Sequence, residues 1–504
     1  MGSIGVMPRD LDVHAIGQPY AQVRETHTGV VILVGDRAYK AKRPVVTDFL
    51  DFSTRDAREQ ALARELELNN RLAPHAYVGI AHLDGPSAGE REPVLVMNRY
   101  PDEVRLSTRV RNNVETVRAE VERVATVLAE FHGRAARGRE IDAQARVLAV
   151  KGRWEDNLVE LEKFGAGAAA VVSAETVRRI RELSGQYISG RAVLFADRIS
   201  LRRIVDGHGD LMADDIFCVD GHPNLLDCMD FDDALRHVDG LDDAAFLAMD
   251  LEFLGRPDLA EVFLDRYCAS AADDPPSSLR HFYIAYRAVV RAKVDCIRHG
   301  QGHPEAAADA ERHLELALEH LRAAVPRLVL VGGGPGTGKT TLARSLAERI
   351  GARVISTDDV RKDLERDDVI GGAPGELDAG LYAPENVATV YKVVLRRAHS
   401  MLAAGESVIL DGTWRDGVHR EHAREVAANA HAVLLEMACT TPLAEAQQRI
   451  AQRRNSTSDA TPEIARGIDE QQAEAGWNSA HRIATDRPLA DSVAEAHQLC
   501  CLAI

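Results

Sequence analysis

The sequence predicts an α+β domain over residues 1–325 followed by an α/β domain with a mostly parallel sheet over residues 326–504. Three observations predict it. Strand-like runs at 30–34 and 38–42 flank Gly35-Asp36, a two-residue hairpin turn, and lead into long helical patterns. Beyond Pro326 apolar strands alternate with helices, the order that builds a parallel sheet covered on both faces. The run LVLVGGGPGTGKTTLA, residues 328–343, reads as a buried strand, a glycine-rich loop and a helix start.

Taken in order, helical patterns cover 51–72 and 113–137, apolar strand signals fall at 216–219 and 225–229, and helices return at 241–271 and 278–299. HGQGHP at 299–304 interrupts the pattern, and a charged helix over 305–324 ends before Pro326, which places the main boundary near 325. After it, strands at 328–332, 352–356, 407–411 and 432–437 alternate with helices at 339–350, 385–404, 417–429 and 442–454. A chain of 504 residues carries roughly two to four domains, and no internal repeat or long low-complexity tract disturbs that division.

Charge narrows the partners. A net charge of -17 and a pI near 5.6 disfavour extended contact with nucleic acid or anionic membranes, since both need clustered Lys and Arg. A small molecule is the expected partner. The seven cysteines contain no C-x-x-C pair, so neither a zinc site nor a disulfide framework is indicated. No basic segment followed by an apolar stretch opens the chain, and no apolar run reaches membrane-spanning length, so a cytoplasmic protein is expected; the oligomeric state is left open.

Within the 328–343 run, Gly333, Gly338, Lys339 and Thr340 satisfy G-x-x-x-x-G-K-[ST], with Gly334, Pro335, Gly336 and Thr337 between them and Thr341 after. Glycines let backbone N–H groups wrap a phosphate, a lysine reaches the β and γ phosphates, and a threonine hydroxyl meets Mg²⁺. ATP and Mg²⁺ are the implied cofactors. Three further clusters follow strand ends. Asp358 and Asp359 lie just past a strand with Arg361 about one helical turn on; such a carboxylate can take a hydroxyl proton and such an arginine can hold an anionic acceptor group. The competing meaning is a helix N-terminus dressed with Asp for capping. Asp411 ends a second strand, suited to metal-water or substrate contact, or else to a plain turn. Arg449 and Arg453 share a helix face at i,i+4 and could close over phosphates, although a solvated basic face has the same pattern.

Together these residues resemble the small P-loop kinases, among them gluconate-kinase-like enzymes, the kinase domain of polynucleotide 5'-kinases and zeta-toxin-like kinases. The resemblance spans about 326–490. It implies that Lys339 and Thr340 bind ATP and Mg²⁺, that Asp358 is the general base, that Arg361 and Asp411 handle the acceptor, and that Arg449 and Arg453 belong to a lid.

The first domain carries a second constellation, HGDLMADDIFCVDGHPNLLDCMDFDDAL at 208–235. His208-Gly209-Asp210 resembles the catalytic loop of aminoglycoside phosphotransferases and related kinase-like enzymes, whose H-G-D-L-x-x-x-N precedes a strand pair and a metal-binding Asp. The resemblance implies Asp210 as catalytic base and Asp230 as metal ligand. It departs at the metal-binding Asn, where Asp215 stands; a carboxylate can still ligate Mg²⁺ but adds negative charge. Upstream, RAYKAK at 37–42 looks like the strand that bears the ATP-binding lysine. Lys40 and Lys42 share a face by period two, with Lys40 slightly favoured. Glu65 is the first candidate for that lysine's ion-pair partner and Glu59 the second, while Gly29 alone stands where a glycine-rich loop is expected.

The whole chain resembles bacterial bifunctional aminoglycoside phosphotransferase/ATP-binding proteins. That implies ATP- and Mg²⁺-dependent phosphoryl transfer to a hydroxyl of a small molecule. Asp215 and the poor glycine loop keep open a regulatory protein whose first domain is a pseudokinase sensing ATP or a metabolite, and analogy alone adds a toxin-like kinase of nucleotide sugars. Other residues read more simply. His281 and His299 fit surface or satisfied core positions, Trp154, Trp414 and Trp477 fit packing, and a solvated acidic helix start accounts for most of Asp239, Asp242, Asp243 and Asp250.

Overall fold

Gly35 turns at φ 56° and pairs Val34 with Arg37, so strands β2 (Gly29–Val34) and β3 (Arg37–Lys42) form the expected hairpin. The computed structural model describes residues 21–25, 29–45, 51–84, 91–165, 170–373, 378–452 and 477–503. Strands β1 (Ala21–Glu25), β4 (Tyr77–Asp84) and β5 (Arg91–Asn98), which the sequence did not announce, complete an antiparallel sheet of order β1-β2-β3-β5-β4. Helix α1 (Arg55–Asn69) starts where the Thr54 side chain accepts the Ala57 N–H at 3.2 Å. It buries Leu62 against Tyr77 and Leu95, and Glu65, one turn on, lies buried on the same side.

Helices α2 (Leu106–Arg111), α3 (Val117–Arg134), α4 (Arg139–Ala143), α5 (Val147–Phe164), α6 (Ala174–Gly190) and α7 (Ala192–Ser200) precede β6 (Ile204–Asp206). A second hairpin follows, β7 (Ile216–Val219) with β8 (His222–Leu225). Here the structure corrects the expected strand at 225–229. Asp220 and Gly221 take φ 48° and 80°, a two-residue turn that pairs Val219 with His222 and so ends the second strand at Leu225. Residues 226–229 become loop. Strand β9 (His237–Asp239) pairs with β6, and α8 (Gly240–Phe253) begins where Asp239 accepts the Leu241 N–H at 2.9 Å. Nearly all of α8 is buried, so Asp242, Asp243 and Asp250 are buried with it, not solvated. Helices α9 (Pro257–Ser270), α10 (Ser277–Gly300) and α11 (Ala306–Ala324) follow.

From Arg327 onward the expected α/β pattern holds. Strands β10 (Arg327–Gly332), β11 (Arg353–Ser356), β12 (Val408–Asp411), β13 (Val433–Thr440) and β14 (His481–Ala484) make one sheet of order β11-β12-β10-β13-β14, every pair parallel. Strand alternation splits its core in two. Leu328, Leu330, Val408 and Leu410 face α13 (Thr357–Arg366), α14 (Pro384–Ala403) and α15 (Gly417–Asn429). Val329, Val331 and Ile409 face α12 (Lys339–Ile350) and α17 (Leu489–Leu502); α16 (Leu443–Ala451) follows β13.

Packing divides the chain into two interleaved units: residues through Ala149 with Arg198–Asp274, and Val150–Asp197 with Pro275–Ile504. The second unit therefore takes in helices that precede the sequence boundary near 325. Within it, Tyr187 stacks on Phe282 at 4.3 Å, Ser278 Oγ donates to the Gly405 carbonyl at 2.7 Å, and the wholly buried Arg191 donates to the Ala430 carbonyl at the end of α15. Trp154 and Trp414 are buried. His281 and His320 face each other Nδ1 to Nδ1 at 2.9 Å, joining α10 to α11.

Candidate active sites

Register builds the first site. Asp411, the last residue of β12, pairs with Val331 of β10 on one side and Ser356 of β11 on the other. The loop after Gly332, Asp411 and Asp358 therefore emerge side by side at the carboxyl edge of the sheet, where parallel α/β folds place ligands. Gly336 and Gly338 take φ 79° and 82°, and a Cβ at Gly336 would collide with the Ala446 carbonyl. Gly333, at φ 141°, has the Thr337 hydroxyl and the Cys439 carbonyl against it. Gly334 accepts a 2.8 Å hydrogen bond from Thr337 Oγ1 and Pro335 is buried beside it, so side chain as well as backbone fixes the loop. Lys339 and Thr340 open α12, and Thr341 is exposed on its first turn.

Thr340 Oγ1 donates to Asp411 Oδ2 at 2.7 Å. Asp411 is buried, and its second oxygen has no hydrogen-bond partner among the described residues. Burial pushes the Asp411 carboxyl above its ordinary value and Asp358 adds to that, while Lys339 and the Thr340 hydroxyl oppose it. Asp358 and Arg361 bind each other at 2.6 Å, and the Arg361 guanidinium lies over the Tyr382 ring, 4.3 Å from its centroid. Asp359 is exposed. Arg449 donates to the Thr485 carbonyl at 2.8 Å and pairs with Glu445. It lines a cavity of about 340 Å³ with Gly336, Gly338, Thr485 and Arg487. Arg453 lies outside the described residues. Trp477 packs on Gly332, its indole N–H donating to Glu436 at 2.8 Å.

The second site is assembled from side chains. Asp243 of α8 accepts the backbone N–H of His208 at 2.7 Å and of Gly209 at 2.8 Å, which sets the loop carrying Asp210. Burial opposes the charge on Asp243, yet His132 at 2.9 Å and the two amides hold its carboxyl below the usual range. Asp250 accepts the Ala213 N–H at 2.7 Å and so fixes the same loop nearer Asp215. The His208 ring reaches the Leu226 carbonyl at 3.0 Å, and burial lowers its pKa. Burial raises the Asp215 carboxyl well above normal, and the carboxylates of Asp227, Asp210 and Asp214 reinforce this.

Above them, Glu65 grips both candidate lysines: Oε1 meets Lys40 Nζ at 2.7 Å and Oε2 meets Lys42 Nζ at 2.9 Å. Glu59, the second candidate, pairs with His82 instead. Lys40 also binds Asp227 at 2.9 Å, and Lys42 binds Asp230 at 3.0 Å. Asp227 was missed in the sequence. Its signal was the Asp220-Gly221 turn, which ends β8 at Leu225 and leaves Asp227 two residues past the strand. Lys40 pulls the Asp227 carboxyl below its ordinary value. Burial works against charge on Lys40, but Asp227 and Glu65 outweigh it and hold the pKa well above normal.

The AAA domain family profile matches residues 328–475. Over 489 residues, 97% of each chain, the sequence is 54% identical to the uncharacterized proteins Rv2004c of Mycobacterium tuberculosis and Mb2027c of Mycobacterium bovis. The chain belongs to the family of these mycobacterial proteins. Among solved structures it is similar to a gluconokinase from Sinorhizobium meliloti 1021, at 18% identity over 35% of this chain and 93% of that one, TM-score 0.27. A choline/ethanolamine kinase family protein from Mesorhizobium loti is similar over 61% of this chain and 93% of that one, at 13% identity and TM-score 0.38. The chain itself combines an α+β unit built on an antiparallel five-stranded sheet with an α/β unit whose five-stranded parallel sheet carries the glycine-rich phosphate loop. No helix among the described residues is long and apolar enough to cross a membrane.

Proposed function

We propose that this chain is an ATP- and Mg²⁺-dependent phosphotransferase that moves a γ-phosphoryl group to a hydroxyl of a small molecule, with functional modules over 1–325 and 326–504. The supporting observation is the Thr340–Asp411 pair at the head of the glycine loop, with the Asp358–Arg361 pair beside it. A hydroxyl, a buried carboxylate and one carboxylate oxygen without a hydrogen bond form an oxygen donor set that suits Mg²⁺. Thr340 and Asp411 would hold Mg²⁺ there, and the ion would supply positive charge to offset that of the phosphates. The loop N–H groups between Gly333 and Thr341, Pro335 excepted, cradle the phosphates and Lys339 neutralises them. Asp358 takes the acceptor proton, Arg361 holds an anionic group of the acceptor, and Arg449 with Arg453 closes over the nucleotide.

In the first module Lys40, favoured over Lys42 and held by Glu65, meets the nucleotide, Asp210 is the base, and Asp215 with either Asp227 or Asp230 supplies the candidate metal ligands. The crowding of Asp215 by three carboxylates favours a second reading of this module, as a regulatory domain that binds nucleotide without transferring phosphate.

The test is ATP turnover by the full chain against a fractionated metabolite extract, with mass spectrometry to find the phosphorylated product. Wild type should yield one that Lys339→Ala does not. Asp358→Asn should keep ATP binding and lose transfer, because a base serves chemistry more than affinity. A product undiminished in folded Lys339→Ala would refute the assignment.

A further inference from the structure

Two lysines on one carboxylate is more than a phosphate contact needs, and their surroundings differ. The Lys40 side chain is 17% exposed, and its second partner, Asp227, is 57% exposed and stands with Asp210 and Asp215. Lys42 is 6% exposed, its second partner Asp230 is 20% exposed, and its ammonium lies 5.6 Å from the centre of the Phe52 ring. One lysine faces the cleft and the other lies within the wall. Their shared acid, Glu65, is 1% exposed, and a carboxylate so buried needs a cation beside it to offset the loss of water.

Resting on the nucleotide-binding reading of this cleft, in which Lys40 meets the nucleotide, we infer that Lys42 with Asp230 is a positioning strut that holds Glu65. A phosphate entering the cleft competes with Asp227 for Lys40, and Asp227 is freed toward the cation that accompanies the phosphate. Glu65 then loses part of its hold on Lys40. Lys42, clamped from the other side by Asp230, keeps Glu65 paired and α1 in place. Asp230 thereby serves Lys42 and not the metal.

The experiment uses the full chain carrying Lys339→Ala, which silences the P-loop site, and measures Mg·AMP-PNP binding by calorimetry and by the nucleotide-induced rise in melting temperature. Lys40→Met should weaken binding by on the order of 30-fold or more, and Asp227→Asn should do likewise. Lys42→Met and Asp230→Asn should each weaken it by only about 5-fold, with the double variant no worse than the weaker single, because the two act as one pair. Lys42→Arg should restore binding, which also covers the case in which Lys42→Met fails to fold. The inference is overturned if Lys42→Met abolishes binding while Lys40→Met spares it, or if the losses from Lys42→Met and Asp230→Asn simply add. Failure of the Lys339→Ala parent to bind nucleotide at all would defeat the reading of the cleft itself, a different result from either.

Discussion

The two sites hold charge by different means. In the P-loop site the backbone does most of it: glycines at positive φ, a helix start, one hydroxyl and one buried acid. In the kinase-like cleft the corresponding charge rests on side chains, two lysines and three acids in a closed ladder from Asp227 through Lys40, Glu65 and Lys42 to Asp230. A backbone cradle forms with the fold, whereas a ladder of ions can be rearranged by whatever ion enters it. The difference suits a working centre in the first case and a responsive one in the second.

Four measurements would break or sharpen that contrast. Lys339→Ala should cost roughly 100-fold or more in P-loop turnover while leaving the melting temperature near that of wild type, since the loop is held by its glycines and by Thr337 and not by Lys339. Glu65→Gln should act in the opposite sense, destabilising the first unit by about 3 kcal/mol in a denaturant titration, because it leaves the buried Lys42 ammonium and the partly exposed Lys40 ammonium short of their common partner. Gly336→Ala should cost about 2 kcal/mol through its φ of 79° and the Ala446 carbonyl, with ATP affinity falling in step; an unchanged affinity would show the cradle to be less dependent on backbone than argued.

The smallest effect concerns pH. Burial, with His320 and the cations Arg280 and Arg327 around it, lowers His281 to about 4. Its folded pKa lies below the unfolded value of roughly 6.5, so the folded state binds fewer protons between those limits. Stability of the second unit is therefore intact above that window and falls as pH drops through it, by on the order of 1 kcal/mol. His281→Gln should flatten that part of the profile.

Much of this was legible in the sequence, for reasons that differ by residue. The parallel sheet could be read because its strands are continuous apolar runs punctuated by turns, and the phosphate loop because glycines at fixed spacing have few other uses. β14 escaped because a four-residue edge strand, His481–Ala484, carries only one buried position, Ile483. Asp227 escaped for a matter of register: reading a strand through 229 carried attention to Asp230, whereas the Asp220-Gly221 turn ends it at Leu225. Asp243 and Asp250 looked like solvated acids because their helix shows no polar face; their partners are backbone amides of a loop some 35 residues earlier, at 34 to 37 positions' separation, a pairing that no local pattern encodes.

Gly405, left-handed at φ 87° and pressed against Ser278, and Arg191, sunk into the end of α15, have a bearing on heredity. A recombination event that cut at 325 would transplant the loop that grips phosphate but abandon Ser278, Tyr187 and Arg191, and the recipient would receive helices α14 and α15 with their inner ends stripped bare. Lineages that carry this nucleotide module should therefore inherit Ser278 with Gly405 as a pair, and gene fusions should seldom be found at the seam where the parallel sheet begins.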